Sequence, residues 1–159
     1  MGSFPTMASI DIYTDGSALG NPGPGGYAAV LLSGDKRLEI SGGFALTTNN
    51  RMELRAVVEA LRVLRGQGHR IRLYSDSKYV IDAFEKRWFL GWQKRQWRNV
   101  KNPDLWQVLL PLTQVHQIEW FWVKGHADIP ENERCDVLAK AAASGSSLPP
   151  DSGYLSPNA

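Results

Sequence analysis

Asp15 closes the stretch SIDIYTD and Asp76 closes RIRLYSD, two short alternating runs that each end on a carboxylate. Alternation of apolar and polar residues marks a β-strand. Ligands of open α/β sheets bind beyond the carboxyl ends of the strands. Two acids at two strand tips therefore put negative charge where a site would form. Glu53 steps to Val57, Ala60 and Leu64 at helical spacing and so faces the packed side of its helix. Asp136 stands among the apolar positions Cys135, Leu138, Ala139 and Ala142. Two carboxylates about 4 Å apart repel by roughly 4 kcal/mol at an effective dielectric near 20. A cluster of them calls for protons or cations. Carboxylates alone suit Mg²⁺, with Mn²⁺ as a substitute, and the absence of a Cys/His cluster argues against zinc. Two such ions about 4 Å apart can clamp a phosphodiester.

Each acid also has a plainer use. Asp15 precedes Gly16, and Asp-Gly is common turn chemistry. Asp76 can cap the helix that follows it. Asn50 and Glu53 have the spacing of a capping box, and Asp136 can pair with Lys140 one helical turn on. The topology brings Asp15 and Asp76 together; for Glu53 and Asp136 it leaves the question open.

The elements that must position these acids are legible as a change of period. Strands are expected over 9–15, 26–33 and 37–46, with links too short for anything but an antiparallel meander. Residues 47–68 switch to helical spacing, with Leu54, Val57, Val58, Leu61 and Leu64 on one face. A strand over 70–76, a short helix over 77–84 and a basic helix-plus-loop segment follow. A helix starts at Pro103 or Asp104 and is ended or kinked at Pro111. A strand runs over 117–126 and a helix over 130–143. The fold class is α/β: a mixed five-stranded sheet, three antiparallel strands first, then the first, fourth and fifth in parallel through right-handed crossovers, flanked by helices. Residues 9–143 form one domain. Residues 1–8 read as a flexible lead-in or cloning remnant, and the polar, Pro-containing end 144–159 as loosely packed.

The chain has 159 residues, 43% of them apolar, enough for one cored domain. No apolar run approaches the roughly 18 residues of a membrane helix, and the N-terminus has no secretory pattern. The single cysteine, Cys135, excludes an intrachain disulfide and suits a reducing cytoplasm. No helix carries a spare apolar face, so a monomer is expected. The net charge of +2 hides an asymmetry: KRWFLGWQKRQWRNVK, residues 86–101, holds six basic residues and no acid. Such a patch can neutralise phosphates without reading sequence. Trp88 and Trp92, four apart, share a helix face; Trp97 follows, and Trp106 in DLWQVLL reads as core.

The sequence closely resembles type I bacterial ribonuclease H. The resemblance rests on YTDGSALGNPGPGGYAAVL, TTNNRMEL, YSDSKYV, WFLGWQKRQW, NPDLWQ, IEWFWVKGHAD and PENERCDVLAKAAA, in order over about residues 9 to 143. It implies endonucleolytic hydrolysis of the RNA strand of an RNA/DNA hybrid by two-metal-ion catalysis, leaving 5′-phosphate and 3′-hydroxyl ends. Asp15, Glu53, Asp76 and Asp136 match the family's four metal-binding acids. His126 in KGHAD matches a loop histidine that assists proton transfer or product release. Asn21, Asn49 and Asn50 are candidates to read the 2′-hydroxyls of RNA in its minor groove. Thr48 is a candidate for a DNA phosphate, although TTNN also reads as a helix cap. Trp88, Trp92, Lys94, Arg95, Trp97 and Arg98 match a basic protrusion that grips the DNA strand. The protrusion looks shorter than is familiar after Trp97, and Leu46, Lys78, Asp128 and Ile129 depart from the usual pattern. Two alternatives remain within reach of the same fold: a nuclease acting on DNA, and a non-catalytic hybrid-binding module, against which the presence of all four acids speaks.

Overall fold

The structure is a computed structural model and describes residues 8–124 and 129–155. Five strands form one sheet: β1 (Ser9–Ala18), β2 (Gly23–Ser33), β3 (Lys36–Thr47), β4 (Arg70–Ser75) and β5 (Gln117–Trp122). Their order is β3-β2-β1-β4-β5. The first three pair antiparallel, and β1, β4 and β5 run parallel. This is the mixed sheet expected from the sequence. The helices are α1 (Asn49–Arg62), α2 (Lys78–Glu85), α3 (Trp88–Lys94), α4 (Pro103–Gln114), α5 (Pro130–Ala143) and α6 (Ser152–Leu155).

Strand register sorts the side chains. Ile10, Ile71 and Ile118 are aligned across β1, β4 and β5, and Ile12, Leu73 and Trp120 form the next such row. These rows pack with Leu54, Val57, Val58 and Leu61 of α1 and with Trp106 and Leu109 of α4. On the alternate positions, the rings of Tyr13 and Tyr74 stack at 4.5 Å and those of Tyr74 and Phe121 at 5.1 Å. α5 lies over β1, β2 and β3 and buries Cys135 and Ala139 with Ala28 and Val30.

Several boundaries differ from those expected. β1 does not end at Asp15 but pairs with β2 as far as Ala18. β5 stops at Trp122 instead of reaching residue 126. α1 ends at Arg62, and the chain beyond it turns through Gly66 and Gly68, both with positive φ. Pro111 neither ends nor breaks up α4, which continues to Gln114.

The larger correction concerns the chain's end. Residues 144–150 are mostly exposed, as expected, but the segment is anchored at Asp151. Asp151 is 1% exposed and receives two hydrogen bonds from Arg51, at 2.7 and 2.9 Å, and one from the Thr47 hydroxyl at 2.6 Å. The same Arg51 guanidinium, itself 2% exposed, also holds Asp104 at the start of α4 through bonds of 2.9 and 2.7 Å. All its nitrogens are thereby engaged. Both carboxyls are held below the usual carboxylate range: Asp104 first by its bonds from Arg51, and Asp151 by Arg51 and Thr47 acting against its burial. One buried arginine thus ties the C-terminal segment and α4 to the first turn of α1. Removing one partner of such a group leaves a buried charge uncompensated. Arg51→Ala should lower stability by about 3–5 kcal/mol, a fall in Tm on the order of 10 °C, read by thermal or urea unfolding.

Candidate active site

The parallel ladder between β1 and β4 has its last rung at Thr14 and Ser75. Asp15 and Asp76 are the next residues on each strand, so the register that aligns Tyr13 with Tyr74 carries the two acids to the same edge. Glu53 arrives from α1. A methyl group on Gly16 would collide with the backbone of Met52 and Glu53, so only glycine lets β1 and the helix approach this closely. The glycine serves that packing inside a continuing strand, not a turn after Asp15. Ligand oxygens of Asp15, Glu53 and Asp76 all lie within 4.8 Å of one another.

The plainer uses of these acids are taken by other residues. Thr48 caps α1, its hydroxyl accepting from Arg51 N at 3.2 Å, so no capping box links Asn50 and Glu53. Ser77 caps α2 by accepting from Val80 N at 3.2 Å, which leaves the Asp76 carboxylate out of that role. Glu53 Oε1 and Asp76 Oδ1 are buried without any hydrogen-bond donor. Among the described residues the trio has no ion-pair partner. Burial, and then the charge of Asp76, pushes the Asp15 carboxyl up to about 8, against an opposing hydrogen bond from Gly16 N. Burial, and then Asp15 and Asp76, pushes Glu53 well above the usual range. Hard, acceptor-only oxygens with unfilled lone pairs fit a divalent cation of the oxygen-seeking kind.

Asp136 is not one of the three acids whose oxygens all meet, but it acts directly on Asp15. It lines the same cleft, about 450 Å³, from α5, and its charge helps to raise Asp15. It also pairs with Lys140 at 3.1 Å, as its spacing allowed. The cleft further holds Asn132 and Val137, which the sequence reading did not single out. A larger hollow, about 830 Å³, lies at the opposite end of the strands, where Arg72 bonds Asp11. It contains no comparable cluster of acids.

A family model described as RNase H matches residues 7–144. The chain belongs to the ribonuclease H family. It is 54% identical over 154 residues to the ribonuclease H of Nitratidesulfovibrio vulgaris, covering 94% of this chain and 98% of that protein. It is 57% identical over 153 residues to the ribonuclease H of Aeromonas salmonicida, covering 93% and 98%. Among solved structures it is similar to LC9-RNase H1, described as a type 1 RNase H with the type 2 active-site motif. There the TM-score is 0.80 with 34% identity, over 91% of this chain and 76% of that one.

Around this ribonuclease H cleft, the remaining candidates fall into three groups. Asn21, Thr48, Asn49 and Asn50 line a neighbouring hollow of about 600 Å³ with Lys101, Asn102 and Tyr154. Asn49 accepts from Ala18 N at 2.7 Å, and Asn21 accepts from Asn49 N at 3.1 Å, so these asparagines also hold the loop in place. Lys94, Arg95 and Arg98 are exposed, and Arg95 and Arg98 each donate to the other's carbonyl. The tryptophans divide. Trp88 is 40% exposed, whereas Trp92 packs on Trp106 at 5.0 Å and Trp97 on Trp92 at 6.2 Å, so these two anchor the protrusion to the core. Trp106 is fully buried, as expected. His126 lies outside the described residues.

Lys78 acquires a neighbour that sequence could not supply. Its ammonium sits 4.5 Å above the ring of Trp122, whose Nε1 donates to the Asp76 carbonyl at 3.2 Å. A cation is thus held beside the strand tip that carries Asp76.

The raised Asp15 makes metal-free stability fall with pH. Its folded pKa exceeds the unfolded value, so its favourable contribution is complete below about 4. That contribution is lost as pH rises toward about 8. In EDTA, Asp15→Asn should therefore have a Tm several degrees above wild type at pH 8–9, the gap closing near pH 4. Parallel scanning calorimetry at both pH values checks this.

Proposed function

We propose that the chain is an endoribonuclease that hydrolyses the RNA strand of RNA/DNA hybrids, using Mg²⁺ bound by Asp15, Glu53, Asp76 and Asp136. The observation that carries this reading is the convergence of three carboxylates at the parallel strand ends, two of them with buried oxygens that no protein group serves. Membership of the ribonuclease H family and the exposed basic residues Lys94, Arg95 and Arg98 support it.

The residues divide the work by chemistry. Asp15 interacts electrostatically with Asp76, Glu53 and Asp136, and with them would hold the metal. Glu53 is held rigidly by the packing of α1, and Asp76 by the capped start of α2. When bound, the two ions would activate a water for attack on the RNA phosphorus and offset charge on the departing 3′ oxygen. The acids fix where that attack takes place. Their preorganisation by strand register and helix packing means that little rearrangement is needed during reaction. The hydrolysis leaves 5′-phosphate and 3′-hydroxyl ends. His126, of the sequence motif KGHAD, is assigned the proton or product-release step.

Substrate is gripped on both sides of the cleft. Asn21, Asn49 and Asn50 offer small polar groups to the 2′-hydroxyls that distinguish RNA. Thr48 and the cap of α1 offer a donor site to a DNA phosphate. Lys94, Arg95 and Arg98 face solvent and neutralise backbone phosphates, with Trp88 as an exposed ring beside them. Trp92 and Trp97 contribute by anchoring that surface. No helix among the described residues is long and apolar enough to cross a membrane, and the enzyme is assigned to the cytoplasm as a monomer.

A labelled RNA strand, presented paired with DNA, paired with RNA and alone, tests the reading. Mg²⁺-dependent internal cleavage of the hybrid alone is expected, abolished by EDTA. Asp15→Asn should lower cleavage by three orders of magnitude or more while hybrid binding persists. Hybrid binding without cleavage in Mg²⁺ or Mn²⁺ would instead mark a binding module.

The basic segment has its own signature. Each lost phosphate contact flattens the slope of log affinity against log salt by about 0.7–0.9. Replacing Lys94, Arg95 and Arg98 together by Ala should flatten the slope for hybrid binding by roughly 2–3. An unchanged slope would return these residues to an ordinary solvated face.

A further inference from the structure

Asn132 lies in the first turn of α5, one helical turn before Asp136, so both side chains belong to the same strip of that helix. It lines the cleft with Asp15, Glu53 and Asp76. Only 5% of it is exposed, yet its Oδ1 is buried with no hydrogen-bond donor. Buried amide oxygens are nearly always paired, and an orphan needs a reason. Among the described residues, none donates to this Oδ1, the Ser17 hydroxyl and the Asn49 amide of the cleft lining included. The acids that line the cleft accept and do not donate when ionised. The lining ammonium, Lys140, is paired with Asp136. An occupant of the cleft that carries a donor would satisfy it.

We propose that Asn132 is a further residue of the cation site, its Oδ1 accepting a hydrogen bond from a water carried by the divalent ion on the Asp136 side of the cleft. The inference rests on the reading of this cleft as a Mg²⁺ site and adds a residue to it. An amide suits the place better than a carboxylate: it adds an acceptor without a further negative charge beside acids already pushed toward protonation by one another. Mg²⁺ sheds its waters reluctantly, so a site for it needs acceptors for those waters as well as direct ligands. Asn132 is thus a positioning residue that orients a bound water.

Calorimetric titration of Mg²⁺ into the metal-free protein, without substrate, tests this directly. Asn132→Ala and Asn132→Leu should weaken Mg²⁺ binding about tenfold, the usual effect of removing a partner of a metal's outer shell. Asn132→Asp, which keeps an acceptor oxygen, should bind at least as tightly as wild type. In EDTA, Asn132→Leu should unfold no lower than wild type, because it removes an unsatisfied acceptor at similar volume. It should then lose most of the rise in Tm that Mg²⁺ gives wild type. Wild-type Mg²⁺ affinity in both the Ala and Leu variants would overturn the proposal. Asp15→Asn, titrated alongside, separates the two levels. If it too binds like wild type, the cleft is not the cation site. If it alone is weakened, the site stands and Asn132 has no part in it.

Discussion

Mutual repulsion among carboxylates is the constraint around which the molecule is arranged. Asp15, Glu53 and Asp76 bring oxygens within 4.8 Å of one another in a place largely hidden from water. When both members are ionised, each such pair at about 4 Å opposes folding by several kcal/mol at an effective dielectric of roughly 20, which pushes Asp15 and Glu53 toward protonation. Little among the described residues relieves the repulsion: Gly16 N donates to Asp15, and two of the acids keep buried oxygens without partners there. The cluster persists because the elements that carry it are held by stronger forces elsewhere.

Those forces are of two kinds. The first is the apolar packing of α1 and α4 against the rows of Ile and Leu on β1 and β4, continuous with the buried Trp106. It leaves α1 no freedom to withdraw Glu53, and the close approach at Gly16 brings the helix directly against the strand that bears Asp15. The second is Arg51, two residues before Glu53, which joins the start of α1 to α4 and to the C-terminal segment through Asp104 and Asp151. A buried positive charge with its partners thus lies close in sequence to the buried negative cluster, on the same helix. The one is saturated by the protein and structural; the other is left unsaturated and faces the cleft.

The same contrast runs through the substrate side. The asparagines near the cap of α1 bond to backbone and hold the loop, so the polar groups available to a nucleic acid are fixed in place before it arrives. The basic residues of the protrusion face solvent while Trp92 packs inward on Trp106 and Trp97 packs on Trp92. A run that reads in sequence as one basic aromatic patch is in space an aromatic root bearing a cationic surface.

The sequence by itself determined the elements and the identity of the acids. Strand and helix differ in period, and a carboxylate at the end of each of two alternating runs, Asp15 and Asp76, reaches one sheet edge once the strands are parallel neighbours. The ordered motifs named the family for the same reason: they are local, and local pattern survives in one dimension. Tertiary structure alone decided what depends on contacts between distant positions. Asp151, in a stretch of Pro, Ser and Gly, gives no local sign that it will be buried on Arg51, 100 residues away. Asn132 reads as one polar residue in the first turn of a helix until the cleft leaves its oxygen without a partner. That Asp136 pairs with Lys140 and also acts on Asp15 is likewise decided by the packing of α5 on β1. Pattern specifies what a residue can form with its neighbours in the chain; packing decides which charges are left without a partner.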